Sequence, residues 1–96
     1  MKIITENKTT ELIKLAHDKC KLIVCHSREE AHRIHKRAEE LKLNIHLPIT
    51  YTDFIQGGYA ARFVESILID NVEVFLQTIS KVRVEAVTLS VLKGED

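Results

Sequence analysis

Short apolar runs alternate along this chain with stretches in which apolar residues recur at helical spacing. Two continuous runs, KLIVC at 21–25 and SILI at 66–69, predict strands that are covered on both faces. Two further runs, KIIT at 2–5 and VEAVTLS at 84–90, predict a first and a last strand. Strands that alternate with helical patterns are typical of parallel α/β sheets, because a helix then connects each strand to the next.

Three helical patterns lie between these runs. The first extends from Lys8 to about Lys19, the second covers about residues 28–42, and the third follows Asn71. Their inner faces are formed by Leu12, Ile13, Leu15 and Ala16, then by Ala31, Ile34, Ala38 and Leu41, and finally by Val72, Phe75, Leu76 and Ile79. Each pattern therefore predicts a helix that packs one apolar face against the sheet.

Polar residues mark where these helices begin. Ser27-x-x-Glu30 has the spacing of a capping box, in which each side chain satisfies the other residue's backbone N–H. Asn71 is a favourable N-cap for the third helix. Glu29 and Arg33 have the i,i+4 spacing of an ion pair on the solvated side of the second helix.

The region between the second and third helices is predicted to be largely irregular. Pro48 excludes a helix at its own position, so the chain from Pro48 is predicted to run extended into a short helical segment that ends at Gly57-Gly58. Residues 59–64 follow as a basic and aromatic loop around Arg62. The whole pattern predicts one three-layer α/β domain over residues 1–96, with a mostly parallel sheet of about four strands, three helices and a frayed tail at 91–96.

Charge and composition narrow the function classes. Lys and Arg number 14 and Asp and Glu number 14, so the net charge is zero and the pI is about 7.0. This balance argues against a general nucleic-acid coat and against a polybasic membrane anchor, since both need excess positive charge. The sequence has no apolar run of roughly 18 residues and no signal-peptide pattern, so a cytoplasmic protein without membrane contact is expected.

The cysteines and histidines suggest neither a disulfide nor a zinc site. Cys20 and Cys25 flank a strand that spans roughly 16 Å, which is beyond disulfide reach. His17, Cys20, Cys25 and His26 lack the paired, closely spaced ligands of structural zinc sites. Two free thiols are therefore expected.

Candidate chemistry lies at the carboxyl ends of the predicted strands, where open α/β sheets bind their ligands. Asn7-Lys8-Thr9-Thr10 opens a helix, and a lysine followed by hydroxyls at such a position can hold phosphates and, through Thr9, Mg²⁺. Asp70 ends a buried strand, where a carboxylate can orient a metal ion. Each feature alone also fits an ordinary helix cap or turn.

Taken in this order, the two features resemble the core of P-loop NTPases. Lys8-Thr9-Thr10 before LIKLA is similar to the end of a Walker A motif, and SILID at 66–70 is similar to a Walker B strand. The segment IVCHSREEAHRIHKRAEEL resembles the second strand and helix of a RecA-like, helicase-type first domain. ITYTDFIQG and VEAVTLS resemble the segments that follow there, so the resemblance spans about residues 3–90 and extends to small phage-encoded P-loop proteins.

The sequence departs from that family at residues that catalysis requires. Asn7 replaces the glycine before the lysine, and Lys2 stands where the motif's first glycine belongs. Residues 3–20 are thus a degenerate Walker A unit. Asn71 stands where hydrolysing members carry a glutamate that polarises water, and loss of such a base typically costs about 10²–10⁴ in rate.

The resemblance and its departures together predict a non-catalytic protein of phage type. It is expected to act by binding a protein partner, with at most weak binding of Mg-ATP or Mg-GTP, and exposed sheet edges leave a homodimer open. One alternative is a nucleotide-binding accessory or weak NTPase of phage DNA metabolism that a partner completes. A second alternative is a nucleic-acid-binding module that uses Lys36, Arg37, Arg62 and Arg83.

Overall fold

Three strands and four helices make up the part of the chain that the computed structural model describes, which is residues 3–17, 21–57, 64–80, 82–86 and 88. In chain order they are α1 (Lys8–Ala16), β1 (Lys21–Cys25), α2 (Arg28–Glu40), β2 (Ile49–Thr50), α3 (Tyr51–Ile55), β3 (Ser66–Ile69) and α4 (Val72–Ile79). The predicted loop around Arg62, the C-terminal tail and Cys20 lie outside the described residues.

The three strands form a parallel sheet in the order β2-β1-β3. Val24 of β1 is in register with Ile49 on one side and with Ile69 on the other. Because β1 is flanked on both sides, all of it except Lys21 is buried. The prediction of an α/β fold with a mostly parallel sheet is confirmed.

The main core lies between the sheet and the first two helices. Alternate residues of β1, Ile23 and Cys25, join the buried side chains of α1 and α2 in one cluster, and Leu68 of β3 packs against it. Leu22 and Val24 point to the opposite face, since successive strand residues alternate. Beyond the cluster, Tyr51 of α3 is buried and meets Phe75 of α4 edge-to-face, with ring centroids 5.1 Å apart. The arrangement fits a three-layer α/β domain.

The helix starts largely follow the sequence prediction. Ser27 Oγ accepts a hydrogen bond from the Glu30 backbone N–H at 3.2 Å, as a capping residue should. Asn71 Oδ1 likewise accepts from the Val74 N–H at 3.3 Å. The predicted Glu29–Arg33 pair is wrong, because the Arg33 guanidinium pairs with Glu30 instead, one residue nearer along the helix.

The predicted first strand is not formed. Residues 3–5 are not in a strand, while Lys2 lies outside the described residues. Ile4 instead packs against the main core as a partly buried apolar side chain. Both edges of β1 are already occupied by β2 and β3, so no place beside the central strand is open to this segment. The chain then turns through Asn7 directly into α1.

The predicted last strand is also wrong where the structure describes it, since residues 84–86 and 88 are not in a strand. The reason lies in the Gln77 side-chain amide of α4. Its Oε1 accepts from the Val84 N–H at 2.7 Å, and its Nε2 donates to the Val82 carbonyl at 3.1 Å. The Val84 N–H, at the start of the predicted strand, is thus engaged by a side chain and not by a sheet ladder.

Candidate functional site

The carboxyl ends of β1 and β3 lie side by side and form the edge of the sheet on which the candidate site is built. The register of the two strands continues past Val24 and Ile69, which brings Asp70 next to Cys25. The Asp70 backbone N–H donates to the Val24 carbonyl at 2.9 Å. The position of Asp70 is thus fixed by the same ladder that forms the sheet. We call the region around Cys25, Ser27 and Asp70 the carboxyl edge.

The first turn of α1 supplies the candidate phosphate-binding residues. Asn7 adopts the left-handed conformation, with φ 49° and ψ 42°, and its side chain makes no capping hydrogen bond. Its carbonyl accepts the first helical bond from the Glu11 N–H at 2.9 Å. Lys8 is the first helical residue and is exposed, while Thr9 and Thr10 follow as partly buried residues. Asparagine therefore takes the backbone conformation for which the P-loop family uses glycine.

Lys8 and Asp70 are far apart in the sequence, and the positive charge of Lys8 acts on the Asp70 carboxyl. Asp70 is partly buried, and burial raises the pKa of its carboxyl above the usual 3.8. The negative charge of Glu30 raises this pKa further, whereas the positive charges of Arg33 and Lys8 lower it. The effect of Lys8 on the Asp70 pKa is the smallest of these, so the lysine acts on the carboxyl through its charge and without a direct contact.

The Tyr51 side chain holds the backbone at this edge. The sequence did not identify it as a site residue. It is 1% exposed, and its hydroxyl donates to the backbone carbonyls of Asp70 and Asn71, the latter at 3.1 Å. Burial, followed by the charge of Asp70, raises the pKa of Tyr51 to about 12, so the hydroxyl keeps its proton. Only the tertiary fold reveals this role, because Tyr51 lies 19 residues before Asp70.

Glu30 and Arg33 of α2 are two further charged residues at the edge. Arg33 Nη2 donates to Glu30 Oε2 at 2.7 Å, and Arg33 Nε lies 3.2 Å and 3.3 Å from the two carboxylate oxygens. This hydrogen bond lowers the pKa of Glu30 and raises that of Arg33. Both groups are therefore charged at neutral pH.

The Cys25 thiol is buried at the end of β1 and is a poor nucleophile. It donates to the Ser27 carbonyl at 3.4 Å. Burial raises the pKa of the thiol to about 11, and the negative charges of Asp70 and Glu30 act in the same direction. Since the thiolate is the reactive form, Cys25 acts here as an apolar core residue. The expectation of a free thiol is confirmed for Cys25.

Asn71 follows Asp70, and its side chain is engaged in a helix cap. Asn71 adopts φ 71° and uses its side-chain oxygen to cap α4. Glu73 lies in the first turn of that helix and is exposed. Neither side chain therefore takes the place of the water-polarising glutamate that the resemblance would require.

The remaining predicted binding residues are spread over the described chain. Lys36 and Arg37 lie on the exposed side of α2, and Arg37 pairs with Glu40 at 3.5 Å. Arg83 is exposed in the segment after α4, and Arg62 lies outside the described residues. The basic residues on α2 are thus interleaved with acidic partners, as on an ordinary solvated helix face.

Magnesium is the metal that the resemblance implies, and the oxygen atoms at the edge suit it. The Asp70 carboxylate and the Thr9 hydroxyl are hard donors of the kind that Mg²⁺ uses together with water and substrate phosphates. In the described ranges, no three His, Cys, Asp or Glu side chains gather as a metal-binding group.

Comparison of the chain with known proteins finds no match. It matches no family model, no curated protein and no solved structure. Among the described helices, none combines the length and the apolar character needed to cross a membrane.

Proposed function

We propose that this chain is a non-catalytic, P-loop-like binding protein that holds a magnesium nucleotide weakly at the carboxyl edge and acts through a protein partner. The observation that supports the proposal is that Lys8 begins α1 and Asp70 directly follows β3, with the charge of Lys8 acting on the Asp70 carboxyl. One supplies a point charge for phosphate oxygens at a helix start, and the other supplies a metal-orienting carboxylate.

The local backbone supports binding that is weak. Asn7 adopts the conformation that the phosphate loop needs, yet its side chain adds bulk where glycine would let the backbone approach the phosphates. Residues 3–6 form no strand, so sheet hydrogen bonds do not support the loop from that side. We expect a dissociation constant near the millimolar range rather than the micromolar range.

The charges at the edge support binding without hydrolysis. Glu30 is the carboxylate whose charge raises the Asp70 pKa, and the hydrogen bond from Arg33 lowers the pKa of Glu30. A carboxylate with a lowered pKa is a weak proton acceptor. Asn71 has no basic group and is used as a helix cap.

The part of the proposal that concerns a protein partner draws on exposed apolar side chains. Ile79 at the end of α4 is 47% exposed, and Val82, three residues later, is 73% exposed. Gln77 and Ser80 donate hydrogen bonds to the Val82 carbonyl, which holds Val82 near the end of α4 where Ile79 lies. Sedimentation velocity over a concentration series tests a second copy of this chain as the partner, and a monomer throughout would exclude it.

Nucleotide-dependent melting tests the proposed site. With about 5 mM Mg-ATP and a dissociation constant near 1 mM, binding stabilises the native state by about 1 kcal/mol, or several degrees in Tm. The Lys8→Ala variant should lose this shift. Lys14→Ala is the matched control, because Lys14 is also exposed on α1 but lies in its last turn, paired with Glu11 at 3.7 Å.

Two outcomes would contradict the proposal. Equal shifts in wild type and Lys8→Ala would place any nucleotide elsewhere. Phosphate release that depends on Lys8 and Asp70 would show hydrolysis and favour the weak-NTPase alternative.

A further inference from the structure

The Tyr51 side chain connects the carboxyl ends of the three described strands. Tyr51 follows Thr50, the last residue of β2, which is in register with Cys25 at the end of β1. The Tyr51 hydroxyl donates to the backbone carbonyl of Asp70, which follows β3 on the other side of β1. The ring also lies edge-to-face against that of His26, the residue after β1, with centroids 6.1 Å apart. One buried side chain thus contacts the backbone or side chains that follow all three strands.

The hydroxyl acts on the backbone on both sides of Asn71. It donates to the carbonyls of Asp70 and Asn71, the latter at 3.1 Å. A hydroxyl has one proton, so the two carbonyls share it in a three-centre hydrogen bond. The relative direction of these two carbonyls is set by φ and ψ of Asn71, which are 71° and 87°. The hydrogen bond therefore favours this left-handed conformation of Asn71.

Asn71 needs such support, because a Cβ makes the left-handed region unfavourable even though asparagine tolerates it better than most residues. Conformations of this kind persist where surrounding groups fix them. The Asn71 side chain contributes from within its own turn, by accepting from the Val74 N–H at 3.3 Å. Tyr51 contributes from a different element, α3, so the turn is held by the tertiary fold as well as by its own cap.

Both backbone groups of Asp70 are engaged as a result. Its N–H donates to the Val24 carbonyl at 2.9 Å, and its carbonyl accepts from Tyr51. The two peptide planes that flank the Asp70 Cα are thus held, and the direction of its Cα–Cβ bond follows from them. Without the Tyr51 hydroxyl, only the peptide plane on the strand side would remain fixed.

We propose that Tyr51 is a positioning residue of the carboxyl edge, which orients Asp70 for Mg²⁺ by holding Asn71 in its left-handed conformation. The inference rests on the proposed function, since it concerns the placement of the metal-orienting carboxylate in the same site. Tyr51 acts through the backbone of Asp70, as the outer partners of metal ligands act by fixing the direction of a ligating group.

Three substitutions separate the hydroxyl from the ring and from the backbone. Tyr51→Phe removes the O–H and keeps the ring. Phe75→Leu is the matched control, because it removes the ring that packs on Tyr51 at 5.1 Å and leaves the hydroxyl in place. Asn71→Gly permits the left-handed conformation without a Cβ, and glycine is an acceptable N-cap in place of asparagine.

The test measures the affinity of the full chain for Mg-ATP by NMR titration, with urea denaturation to verify that each variant is folded. Tyr51→Phe should weaken binding about fivefold, because the Asp70 backbone is then held on one side only. Adding Asn71→Gly to Tyr51→Phe should recover about half of this loss, whereas adding Asn71→Ala should recover none, since alanine keeps the Cβ. Phe75→Leu should lower the stability yet bind Mg-ATP within about twofold of wild type.

The outcomes separate this inference from the proposed function. Wild-type affinity in Tyr51→Phe, with binding lost in Lys8→Ala, overturns the role of Tyr51 and leaves the site standing. An equal loss in Phe75→Leu and Tyr51→Phe assigns the effect to ring packing and also overturns it. A loss in Tyr51→Phe that Asn71→Gly does not reduce shows that the hydroxyl does not act through the Asn71 backbone, which overturns it too. No binding by wild type overturns both proposals.

Discussion

Asp70 carries its charge at a place where the fold disfavours it. The residue is partly buried beside Cys25, and burial is the main reason that its pKa is raised. Its backbone is held by the Tyr51 hydroxyl and by the Val24 carbonyl. Residues kept at such a cost in stability are typical of binding sites, because a ligand or metal ion can supply the missing counter-charge.

This cost should appear in the pH dependence of Asp70→Asn. A native pKa above 3.8 means that folding favours the protonated carboxyl, so the wild type loses stability as pH rises through that native value. The variant has no such loss. It should be more stable than wild type by about 0.5 kcal/mol at pH 7, a figure that allows for solvent screening of a partly exposed group.

Urea denaturation across pH 3–8 measures the difference. The advantage of Asp70→Asn should vanish below pH 3.8, where the wild-type carboxyl is protonated in both states. Glu85→Gln changes an exposed carboxylate in the segment after α4 and is the control. A variant that is less stable than wild type at pH 7 would show that Lys8 and Arg33 outweigh burial.

At the level of single residues, the sequence predicted side chains whose hydrogen-bond partners lie within the same turn of the chain. The caps at Ser27 and Asn71 follow from the chemistry of a single turn, and both are observed. Tyr51 and the Glu30–Arg33 pair could not be assigned to the site, because their significance depends on which strand end they meet in three dimensions. Local patterns carry no information on such contacts.

Among the elements, the end of α2 shows backbone geometry that its sequence does not favour. The Leu43 N–H donates to the Ala38 carbonyl at 2.9 Å, and the Lys42 N–H donates to the Glu39 carbonyl at 3.0 Å. These two bonds form a Schellman motif, in which the residue after the cap is left-handed. That residue is Lys42, with φ 59°, where glycine is usual.

Lys42→Gly should therefore stabilise the protein. The left-handed conformation costs a residue with a Cβ about 1 kcal/mol, and part of this gain is offset by the greater freedom of glycine in the unfolded chain. We expect a net gain of about 0.5 kcal/mol or more by thermal or urea denaturation. Lys42→Ala keeps the Cβ and separates the effect of the backbone from that of the lost charge. Equal stabilities of the two variants would contradict the argument.

The apolar patterns predicted the helices and the two inner strands, but they were wrong for the described residues of the first and last predicted strands. Strand β1 and helices α1 and α2 have apolar patterns that match their burial. Strand β3 and helix α4 were predicted from similar patterns although neither contains a buried residue, so the expectation that SILI is covered on both faces is wrong. The segments 2–5 and 84–90 have similar patterns, yet residues 3–5, 84–86 and 88 are not in strands. A strand needs a partner as well as a pattern, and Gln77 competes for the Val84 backbone.

In the described part of the molecule, the helices on the two faces of the sheet are not equally buried. The main cluster contains side chains of α1, β1 and α2 that are at most 8% exposed. On the other side, α4 has no buried residue, although Phe75 packs on Tyr51. The stability of the fold is therefore concentrated in the first half of the chain, and the carboxyl edge joins this half to the looser α4.

Native-state hydrogen exchange should reveal this inequality. Amides of β1 and α2 should exchange only through global unfolding, whereas amides of α4 should exchange through a local opening of lower free energy. The same substitution on each side gives a second check. Ile34→Ala removes a side chain that is 1% exposed and should cost about 3 kcal/mol, while Ile79→Ala removes one that is 47% exposed and should cost less than about 0.5 kcal/mol. Protection of α4 equal to that of α2 would show instead that the two sides unfold as one cooperative unit.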